Sequence, residues 1–208
     1  MKLILIRHGQ TDENVAHRHQ PNDTPLSVLG RKQAVQAADT LQTAGVTHVV
    51  SSPLIRALQT ASLIANGLDI IPSVSHAWKE LERPSSLTGH KHFSLRSLLF
   101  YKFWFLGLTR SGESYRSMRQ RVVVAKEQLA LLPEDAVVAV VSHTVFINIF
   151  IVHLHRRLPL WPWQAVWVFW KIICLKNTDM IELFFEEGEW KRVSGKLLAK
   201  KADEDVLG

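Results

Sequence analysis

The segment KLILIRHGQTDEN, residues 2–14, joins a short apolar run to an arginine and a histidine. The run from Leu3 to Ile6 is typical of a buried strand, but Arg7 and His8 are not, because burying a charge is costly unless something pairs with it. Ligands of α/β proteins bind at strand ends. Arg7 and His8 are therefore placed for chemistry, since a guanidinium grips anionic oxygens and a neutral imidazole has a free lone pair.

Two further segments carry the same residue types, with Arg56 in SSPLIRALQTA and His143 in VVSHTVF. His143 follows the apolar run AVVAVVS, which predicts a strand over about 136–142. In a parallel sheet the carboxyl ends of strands share one edge, so His8 and His143 can meet there. Phosphoryl transfer needs a nucleophile, positive groups around the phosphoryl oxygens and an acid for the leaving group. His8, Arg7, Arg56 and His143 supply the first two of these requirements.

The elements that must position these residues alternate between strands and helices. Helical spacing predicts helices in LSVLGRKQAVQAADTLQTAG, with Ser27 as N-cap and Gly45 at the end, and in IRALQTASLIANGL. Further helices are predicted near 93–106, in GESYRSMRQRVVVAKEQLALLP, and from about 144 to 155, followed by a hairpin turning at Glu187-Gly188. This alternation predicts an α/β three-layer sandwich with a mainly parallel central sheet and helices on both faces.

Six segments, taken in order, resemble the histidine phosphatase superfamily, also called the phosphoglycerate-mutase-like fold. They cover roughly residues 1–150 and comprise LIRHGQTDEN, DTPLSVLGRKQA (23–34), SSPLIRALQTA (51–61), KELERPSSLTG (79–89), GES (112–114) and VVSHTVF (140–146). An Arg-His-Gly tripeptide alone is weak evidence, but the ordered set is specific. The resemblance predicts a single histidine phosphatase domain over 1–208, with a cap-like insertion at about 83–112.

The resemblance implies a reaction cycle without metal or cofactor. His8 attacks phosphorus and becomes phosphohistidine, while Arg7, Arg56 and His143 bind the phosphoryl group. A carboxylic acid protonates the departing alcohol and then activates water, because microscopic reversibility lets one group fill both roles. The acid is Glu82 or Glu80. Glu82 is preferred for its Leu-x-Glu and Glu-Arg context, although strand alternation would send both carboxylates to the same side.

Further substrate contacts follow from the resemblance by position. Gln10, Thr11 and Asn14 lie in the loop after His8 and resemble the family's phosphate and leaving-group contacts. Thr144 departs from the family pattern, in which glycine is common after the second histidine. It can instead offer a backbone N–H at the start of the next helix, which is a natural anion site.

Composition narrows the class of protein and its partners. The formal net charge is +6, but the basic residues are scattered, so nucleic acid is not an expected partner. A single cysteine, Cys174 in an apolar run, excludes a disulfide framework and fits a cytoplasmic location. Residues 136–155 carry no Asp, Glu, Lys or Arg, yet a change of character at Ser142-His143-Thr144 favours strand, turn and helix over a membrane span. The histidine pairs in 17–19 and 90–92 lack clear further ligands, and no metal site is predicted.

Aromatic residues are concentrated in two segments, LPLWPWQAVWVFW (158–170) and LLFYKFWFLGL (98–108). For the first, core packing is preferred, with a homodimer or partner surface and membrane contact as alternatives. The second falls where the family often inserts a cap. An apolar cap would favour a substrate with a hydrophobic leaving group.

Three functions are therefore open, and a phosphomonoesterase is preferred. Its substrate would be a phosphorylated small molecule or a phosphoprotein. The second is a phosphoglycerate-mutase-type transfer, but RPSSLTGHKHFSLRSLLFYKFWF does not resemble the longer stretch that mutases carry after the acid. The third is a catalytically inactive binding module of the same fold. The binding module is disfavoured because positions 7, 8, 56, 82 and 143 retain the catalytic residue types.

Overall fold

The structure is a computed structural model, and it describes residues 1–154, 175–186 and 189–197. The predictions for Cys174, for the tryptophan-rich segment 158–170 and for the turn at Glu187-Gly188 fall on residues outside these ranges. No helix in the described ranges is long and apolar enough to cross a membrane. As predicted, the described part of the charge-free segment contains a strand, a break at His143 and a helix.

One sheet of six strands organises the fold. The strands are β1 (Lys2–Arg7), β2 (His48–Ser51), β3 (Ser73–Val74), β4 (Val137–Ser142), β5 (Met180–Glu186) and β6 (Glu189–Leu197). Their spatial order is β3-β2-β4-β1-β5-β6. The three pairings among β3, β2, β4 and β1 are parallel, whereas β5 pairs with β1, and β6 with β5, in antiparallel fashion. The predicted mainly parallel sheet is confirmed, and the last two strands form an antiparallel pair.

Helices cover both faces of this sheet. They are α1 (Asp12–Val15), α2 (Val28–Thr43), α3 (Ile55–Leu68), α4 (Leu95–Phe105), α5 (Tyr115–Ala130) and α6 (Thr144–Val152). Successive side chains of a strand point to opposite faces. In β1, Ile4 and Ile6 pack in one buried cluster with α2 and α3, whereas Leu3 and Leu5 pack in another with α4, α5 and α6. The predicted α/β three-layer sandwich is thereby confirmed.

The ends and buried faces of α2 and α3 follow from their sequences. Ser27 is the N-cap of α2, and its Oγ accepts a hydrogen bond of 3.0 Å from the N–H of Gly30. Gly45 follows the helix with a φ of 68°, a backbone region that favours glycine. The buried residues agree with the predicted helical spacing: Ala34, Ala37, Ala38 and Leu41 in α2, and Ala57, Thr60, Ala61 and Ile64 in α3.

Candidate active site

His8 and His143 meet at the carboxyl edge of the sheet. β1 and β4 pair with Arg7 opposite Ser142, and the N–H of His8 donates to the carbonyl oxygen of Ser142 at 3.0 Å. The next residue along each strand is a histidine, and the two imidazole centroids lie 5.1 Å apart. Both side chains are buried. The parallel register thus brings together two residues that are 135 positions apart in the chain, from 8 to 143.

The surroundings of His8 select one of its two ring nitrogens as a nucleophile. Its Nδ1 lies 2.7 Å from the carbonyl oxygen of Gly9. A carbonyl oxygen only accepts hydrogen bonds, so Nδ1 carries the proton and Nε2 keeps its lone pair. Burial lowers the pKa of His8 well below 6.5, and the charges of Arg56 and Arg7 lower it further. The imidazole is therefore neutral at pH 7, as a nucleophile must be.

Two arginines flank this nucleophile, and both are held by backbone carbonyls. Nη1 of Arg7 donates to the carbonyl of Leu175, and Nη1 of Arg56 donates to that of Pro21 at 3.0 Å. Burial lowers the pKa of each to about 10, so both remain charged at pH 7. The Nε atoms of Arg7 and Arg56 are buried without a hydrogen-bond partner in the described part of the chain. Such orphaned donors call for an explanation, and an anion that binds between the arginines provides one.

Thr60 ties the nucleophile's loop to the helix that carries Arg56. Its Oγ1 accepts a hydrogen bond of 3.0 Å from the N–H of Gly9 and donates one of 2.7 Å to the carbonyl oxygen of Arg56. Thr60 is fully buried. One hydroxyl therefore sets the distance between the end of β1 and the first turn of α3. The sequence predicts Thr60 only as a buried residue of a helix face.

His143 is oriented by a serine from the neighbouring strand end. Its Nε2 lies 2.7 Å from Oγ of Ser52, and that Oγ also accepts from the N–H of Leu54 at 3.4 Å. Burial lowers the pKa of His143 well below 6.5, and Arg56 and His8 lower it further, so the ring is neutral at pH 7. Its buried Nδ1 has no partner among the described residues. When the Ser52 hydroxyl donates to Nε2, Nδ1 carries the proton and is a third donor for an anion.

The structure separates the two candidate acids and favours Glu80 over Glu82. Residues 79–83 do not form a strand, so the alternation that would send both carboxylates to one side does not apply. The Glu80 carboxylate is buried at the start of α6, where it accepts from the N–H groups of Val145 at 3.4 Å and Phe146 at 3.3 Å. The Glu82 side chain is 61% exposed and pairs with Lys79 at 3.0 Å. The preference for Glu82 is therefore not supported by the geometry.

An ion pair that the sequence analysis did not identify braces the segment that carries Glu80. Nε and Nη2 of Arg121 in α5 donate to the two carboxylate oxygens of Glu113, at 2.7 and 2.6 Å. Nη1 of the same guanidinium donates to the carbonyl oxygens of Ala77, at 3.0 Å, and Lys79, at 2.6 Å. Arg121 therefore fixes the backbone directly before Glu80. Glu113 belongs to the GES motif, which is the only sequence signal that pointed to this contact.

The loop after His8 is built from three of the predicted substrate contacts. Thr11 and Asn14 form a capping box at the start of α1, and Oδ1 of Asn14 also accepts from Nδ2 of Asn177 at 3.0 Å. The same Asn177 amide donates to the carbonyl oxygen of His8 at 3.0 Å. Oε1 of Gln10 accepts from Oγ of Ser27 at 3.0 Å. These side chains shape the loop, and their substrate contacts stay a prediction.

Thr144 is the first residue of α6, directly after the N-cap His143. It is not among the residues with a positive φ, so this position does not need the conformations reserved for glycine. The departure from the family pattern therefore causes no backbone strain. The carbonyl oxygen of Thr144 accepts from Nδ2 of Asn148 at 2.8 Å, which fixes the first turn of the helix. Whether its N–H contacts an anion stays a prediction.

Two glycines allow the loop after His8 to lie directly against α2. A Cβ on Gly9 would lie 2.5 Å from the carbonyl oxygen of Gly30. A Cβ on Gly30 would lie 2.1 Å from the carbonyl oxygen of Gln10. Both distances are shorter than a carbon and an oxygen can approach without bonding, so neither position has room for a side chain. The two backbones are in direct contact beside the nucleophile.

A pocket of about 550 Å³ shares Arg56 and Glu80 with this site and is lined mainly by polar and charged groups, although neither His8 nor His143 is among its lining residues. Its walls include Arg56, Glu80, His19 and a third arginine, Arg83. Nη2 of Arg83 lies 3.9 Å from the Glu80 carboxylate, and its Nε donates to the hydroxyl of Tyr101 at 3.0 Å. Tyr101 and Glu80 raise the pKa of Arg83 in spite of its burial. The pocket therefore suits a ligand with polar or anionic groups.

The aromatic segment 98–108 does not line this pocket. The helical period of α4 turns Tyr101 and Trp104 inward and leaves Leu98, Leu99 and Phe103 exposed. None of these apolar side chains reaches the pocket wall. The expectation that an apolar cap favours a hydrophobic leaving group therefore loses its basis. Among the described residues, no group of three or more His, Cys, Asp or Glu side chains is arranged to hold a metal ion.

Known proteins resemble this chain over most of its length. The family model of the histidine phosphatase superfamily, branch 1, matches residues 3–195. A probable phosphoglycerate mutase GpmB from Escherichia coli O1:K1 / APEC is 29% identical over 198 residues, covering 91% of this chain and 87% of the relative.

Solved structures of phosphatases share the fold. The phosphoserine phosphatase of Entamoeba histolytica, in complex with 3-phosphoglyceric acid, superposes with a TM-score of 0.75 at 28% identity, covering 93% of this chain and 95% of that one. A mycobacterial glucosyl-3-phosphoglycerate phosphatase complexed with VO3 gives a TM-score of 0.74 at 27% identity, covering 92% and 96% of the two chains.

Proposed function

The chain belongs to the histidine phosphatase superfamily, and from this premise we propose that it is a phosphomonoesterase that works through a phosphohistidine on Nε2 of His8. One observation carries the proposal. Among the described residues, Nε of Arg7, Nε of Arg56 and Nδ1 of His143 are buried without hydrogen-bond partners, and Nδ1 of the neighbouring His8 is bonded to a carbonyl, which leaves the lone pair on Nε2. A phosphoryl group has the charge and the three oxygens that such donors bind.

In the first step, the lone pair on Nε2 of His8 attacks phosphorus. The bond between phosphorus and the ester oxygen breaks, and its electron pair goes to the departing alcohol. Glu80, in its protonated form, supplies the proton that this oxygen needs. The proton on Nδ1 of the resulting phosphohistidine stays hydrogen-bonded to the Gly9 carbonyl, which stabilises the positive charge on the ring.

In the second step, the Glu80 carboxylate takes a proton from water as its oxygen attacks phosphorus. The phosphorus–nitrogen bond breaks, and its electron pair returns to Nε2 of His8. Inorganic phosphate leaves, and both His8 and Glu80 are back in their starting protonation states. The burial and charge that keep the pKa of His8 low also make the neutral ring a good leaving group in this step.

The pocket supports a small phosphorylated molecule with a polar leaving group as the substrate. A volume of about 550 Å³ lies within the range of small-molecule sites. Arg83 and His19, on the walls beyond Glu80, offer polar contacts to the part of the substrate that departs. A cytoplasmic location is part of the proposal, and it is supported by the single cysteine in the sequence.

A mutase is the second candidate, because a curated relative is a probable phosphoglycerate mutase. A mutase must keep the phosphohistidine from water while the intermediate turns round. Stimulation by 2,3-bisphosphoglycerate, with transfer to an acceptor in place of phosphate release, would favour this candidate. The inactive binding module is disfavoured by the buried histidine pair and by the two arginines whose Nε atoms have no partner among the described residues.

The test is hydrolysis of p-nitrophenyl phosphate in the presence of EDTA, with wild type compared with His8→Ala. We expect activity that survives EDTA and falls at least about 10³-fold in the variant, since the variant lacks the nucleophile. Quenching the wild type with alkaline detergent during turnover of a labelled substrate should trap a phosphoprotein that is stable in base and labile in acid, and the variant should not form it. A folded wild type without phosphatase activity, or an active His8→Ala, would contradict the proposal.

A further inference from the structure

α4 and the residues directly before and after it expose a group of large apolar side chains. Seven of the 18 exposed large hydrophobic residues in the described part of the chain lie within 93–108. They are Phe93, Leu95, Leu98, Leu99, Phe103, Leu106 and Leu108, with exposures between 43% and 72%. Scattered exposed apolar residues are ordinary, but a cluster on one helix face marks an interaction site. Together with the exposed cations Lys91, Arg96, Lys102 and Arg110, we call this surface the α4 face.

The opposite side of α4 is firmly attached to the protein. Oγ of Ser97 bonds Nε2 of His19 at 2.8 Å, and the Tyr101 hydroxyl accepts from Arg83 at 3.0 Å. Nε1 of the fully buried Trp104 donates to the carbonyl oxygen of Glu113 at 3.0 Å. These contacts determine which residues point outward. The α4 face is therefore presented by a fixed helix, in which Leu95, Leu98 and Leu99 have the i, i+3, i+4 spacing of one helix side.

The charge around the α4 face has one sign. From Arg83 to Gly112 the chain contains five Lys or Arg residues and no Asp or Glu. Four of the five are the exposed cations of the α4 face, and the fifth, Arg83, lines the pocket. Exposed apolar residues interspersed with cations, in a segment without acidic residues, are the pattern of helices that lie in the interface of an anionic bilayer.

This charge also argues against a second copy as the occupant. A two-fold dimer would place the same patch against itself. The four cations of one copy would then face those of the other, and such like-charge juxtaposition costs several kcal/mol. Anionic lipid headgroups instead complement the cations, while the leucine and phenylalanine side chains enter the boundary with the acyl chains.

We propose that the α4 face binds the surface of a bilayer that contains anionic lipids, with α4 lying in the plane of the interface. The residues on both sides of the α4 face line the pocket, among them Pro84 and Ser86 before it and Ser111 and Gly112 after it. Docking therefore holds the entrance of the pocket near the lipid headgroups. The binding itself does not depend on the proposed enzymatic function.

The test is co-sedimentation of the full chain with vesicles of phosphatidylcholine containing about 30% phosphatidylglycerol, compared with pure phosphatidylcholine. We expect binding to the anionic vesicles that weakens as the salt concentration is raised from about 0.1 M to about 0.5 M. Leu98→Gln with Leu99→Gln should reduce the partition coefficient at least about tenfold, because two apolar anchors are lost. Arg96→Gln with Lys102→Gln should reduce it about fivefold per charge and flatten the salt dependence.

Ile71→Gln is the matched control, since Ile71 is 94% exposed and lies outside the α4 face. It should bind vesicles as the wild type does. All variants should retain hydrolysis of p-nitrophenyl phosphate, which shows that they are folded. Equal binding to neutral and anionic vesicles, or a leucine variant that binds like the wild type, overturns the proposal. The wild type could instead dimerise in a concentration-dependent way without binding vesicles, and the leucine variant could lose this dimerisation. That result would assign the α4 face to a second copy and would also overturn the proposal.

Discussion

The carboxylate of Glu80 accepts a hydrogen bond from the backbone N–H of Phe146, at 3.3 Å, in the first turn of the helix that begins directly after His143. The carboxylate of the candidate acid, Glu80, and the second histidine, His143, thus both lie at the N-terminus of α6. The backbone N–H groups of Val145 and Phe146 fix the position of this carboxylate at the helix start. Nη2 of Arg83 lies 3.9 Å from the same carboxylate.

This position predicts different outcomes for the two candidate acids. Glu80→Gln should lower kcat about 10²- to 10⁴-fold, the usual contribution of a positioned acid or base. Glu82→Gln is the matched control and should leave kcat near the wild-type value, because that carboxylate is exposed and bonded to Lys79. Steady-state kinetics with an alkyl and an aryl phosphate would measure both. The loss should be larger for the alkyl ester, whose leaving group needs the proton more. The reverse order of the two variants would return the role to Glu82.

Thr60→Val should lower both stability and activity. The substitution keeps the volume but removes the hydroxyl that bonds Gly9 and Arg56, so the buried N–H of Gly9 is left unsatisfied. We expect a fall of about 1–3 kcal/mol in the free energy of unfolding. In urea titrations and in kcat/KM, Thr60→Ser should stay close to the wild type because it keeps the hydroxyl. If the Thr60→Ser and Thr60→Val variants behave alike, the hydroxyl of Thr60 does not hold β1 and α3 together.

Arg121→Gln should reduce kcat without removing any group that contacts substrate. The variant leaves the Glu113 carboxylate and the carbonyls of Ala77 and Lys79 without their donor. The free energy of unfolding should fall by about 1–3 kcal/mol, and kcat should fall because the backbone before Glu80 loses its support. Arg116→Gln, an exposed position on the same helix, is the control for a lost charge. An unchanged kcat in a destabilised Arg121→Gln would limit its role to stability.

Buried His19 should make the fold sensitive to acid. Burial and the charges of Arg83, His92 and His90 lower its pKa from 6.5 to about 3. Above pH 6.5 the ring is neutral in both the native and the unfolded states, so His19 does not lower the free energy of unfolding there. Between pH 6.5 and about 3, the unfolded state binds a proton that the native state does not, so the free energy of unfolding falls as the pH falls. The slope is at most about 1.4 kcal/mol per pH unit for one histidine.

The measurement is urea unfolding at several pH values between 7.5 and 4, with His19→Gln compared with the wild type. The variant should lose less stability on acidification than the wild type. His76→Gln, at an exposed histidine, serves as the control and should follow the wild type. Parallel curves for wild type and His19→Gln would show that the ring titrates alike in both states.

The meeting of His8 and His143 at one edge of the sheet was predictable from the sequence, because it depends on local patterns. Apolar runs that end in His8 and His143 indicate two strands, and helices between them indicate that the strands are parallel. Parallel pairing then brings the two histidines together whatever the length of chain between them. Caps and apolar spacing similarly predicted α2, where Ser27 and Gly45 mark the ends, and apolar spacing alone predicted α3.

The acid and its support could not be predicted in this way. The preference for Glu82 was based on its sequence context, and strand alternation could not separate the two carboxylates. Residues 79–83 form irregular backbone, whose side-chain directions depend on tertiary contacts. Arg121 lies in α5, whereas the backbone carbonyls that it bonds, those of Ala77 and Lys79, lie more than 40 residues earlier in the chain. The inward and outward sides of α4 are also set by partners that are distant in sequence, such as His19 for Ser97. Spacing along the chain contains no information about such contacts.

The contact between Gly9 and Gly30 has a consequence for how this protein can evolve. At most crowded positions a larger residue can be accommodated when a neighbouring side chain becomes smaller. Here the atoms in the way are the carbonyl oxygens of Gly30 and Gln10, which every amino acid carries. No second substitution nearby can therefore rescue an alanine at either position. The two glycines form a pair of sites closed to mutation for as long as the nucleophile's loop keeps this path.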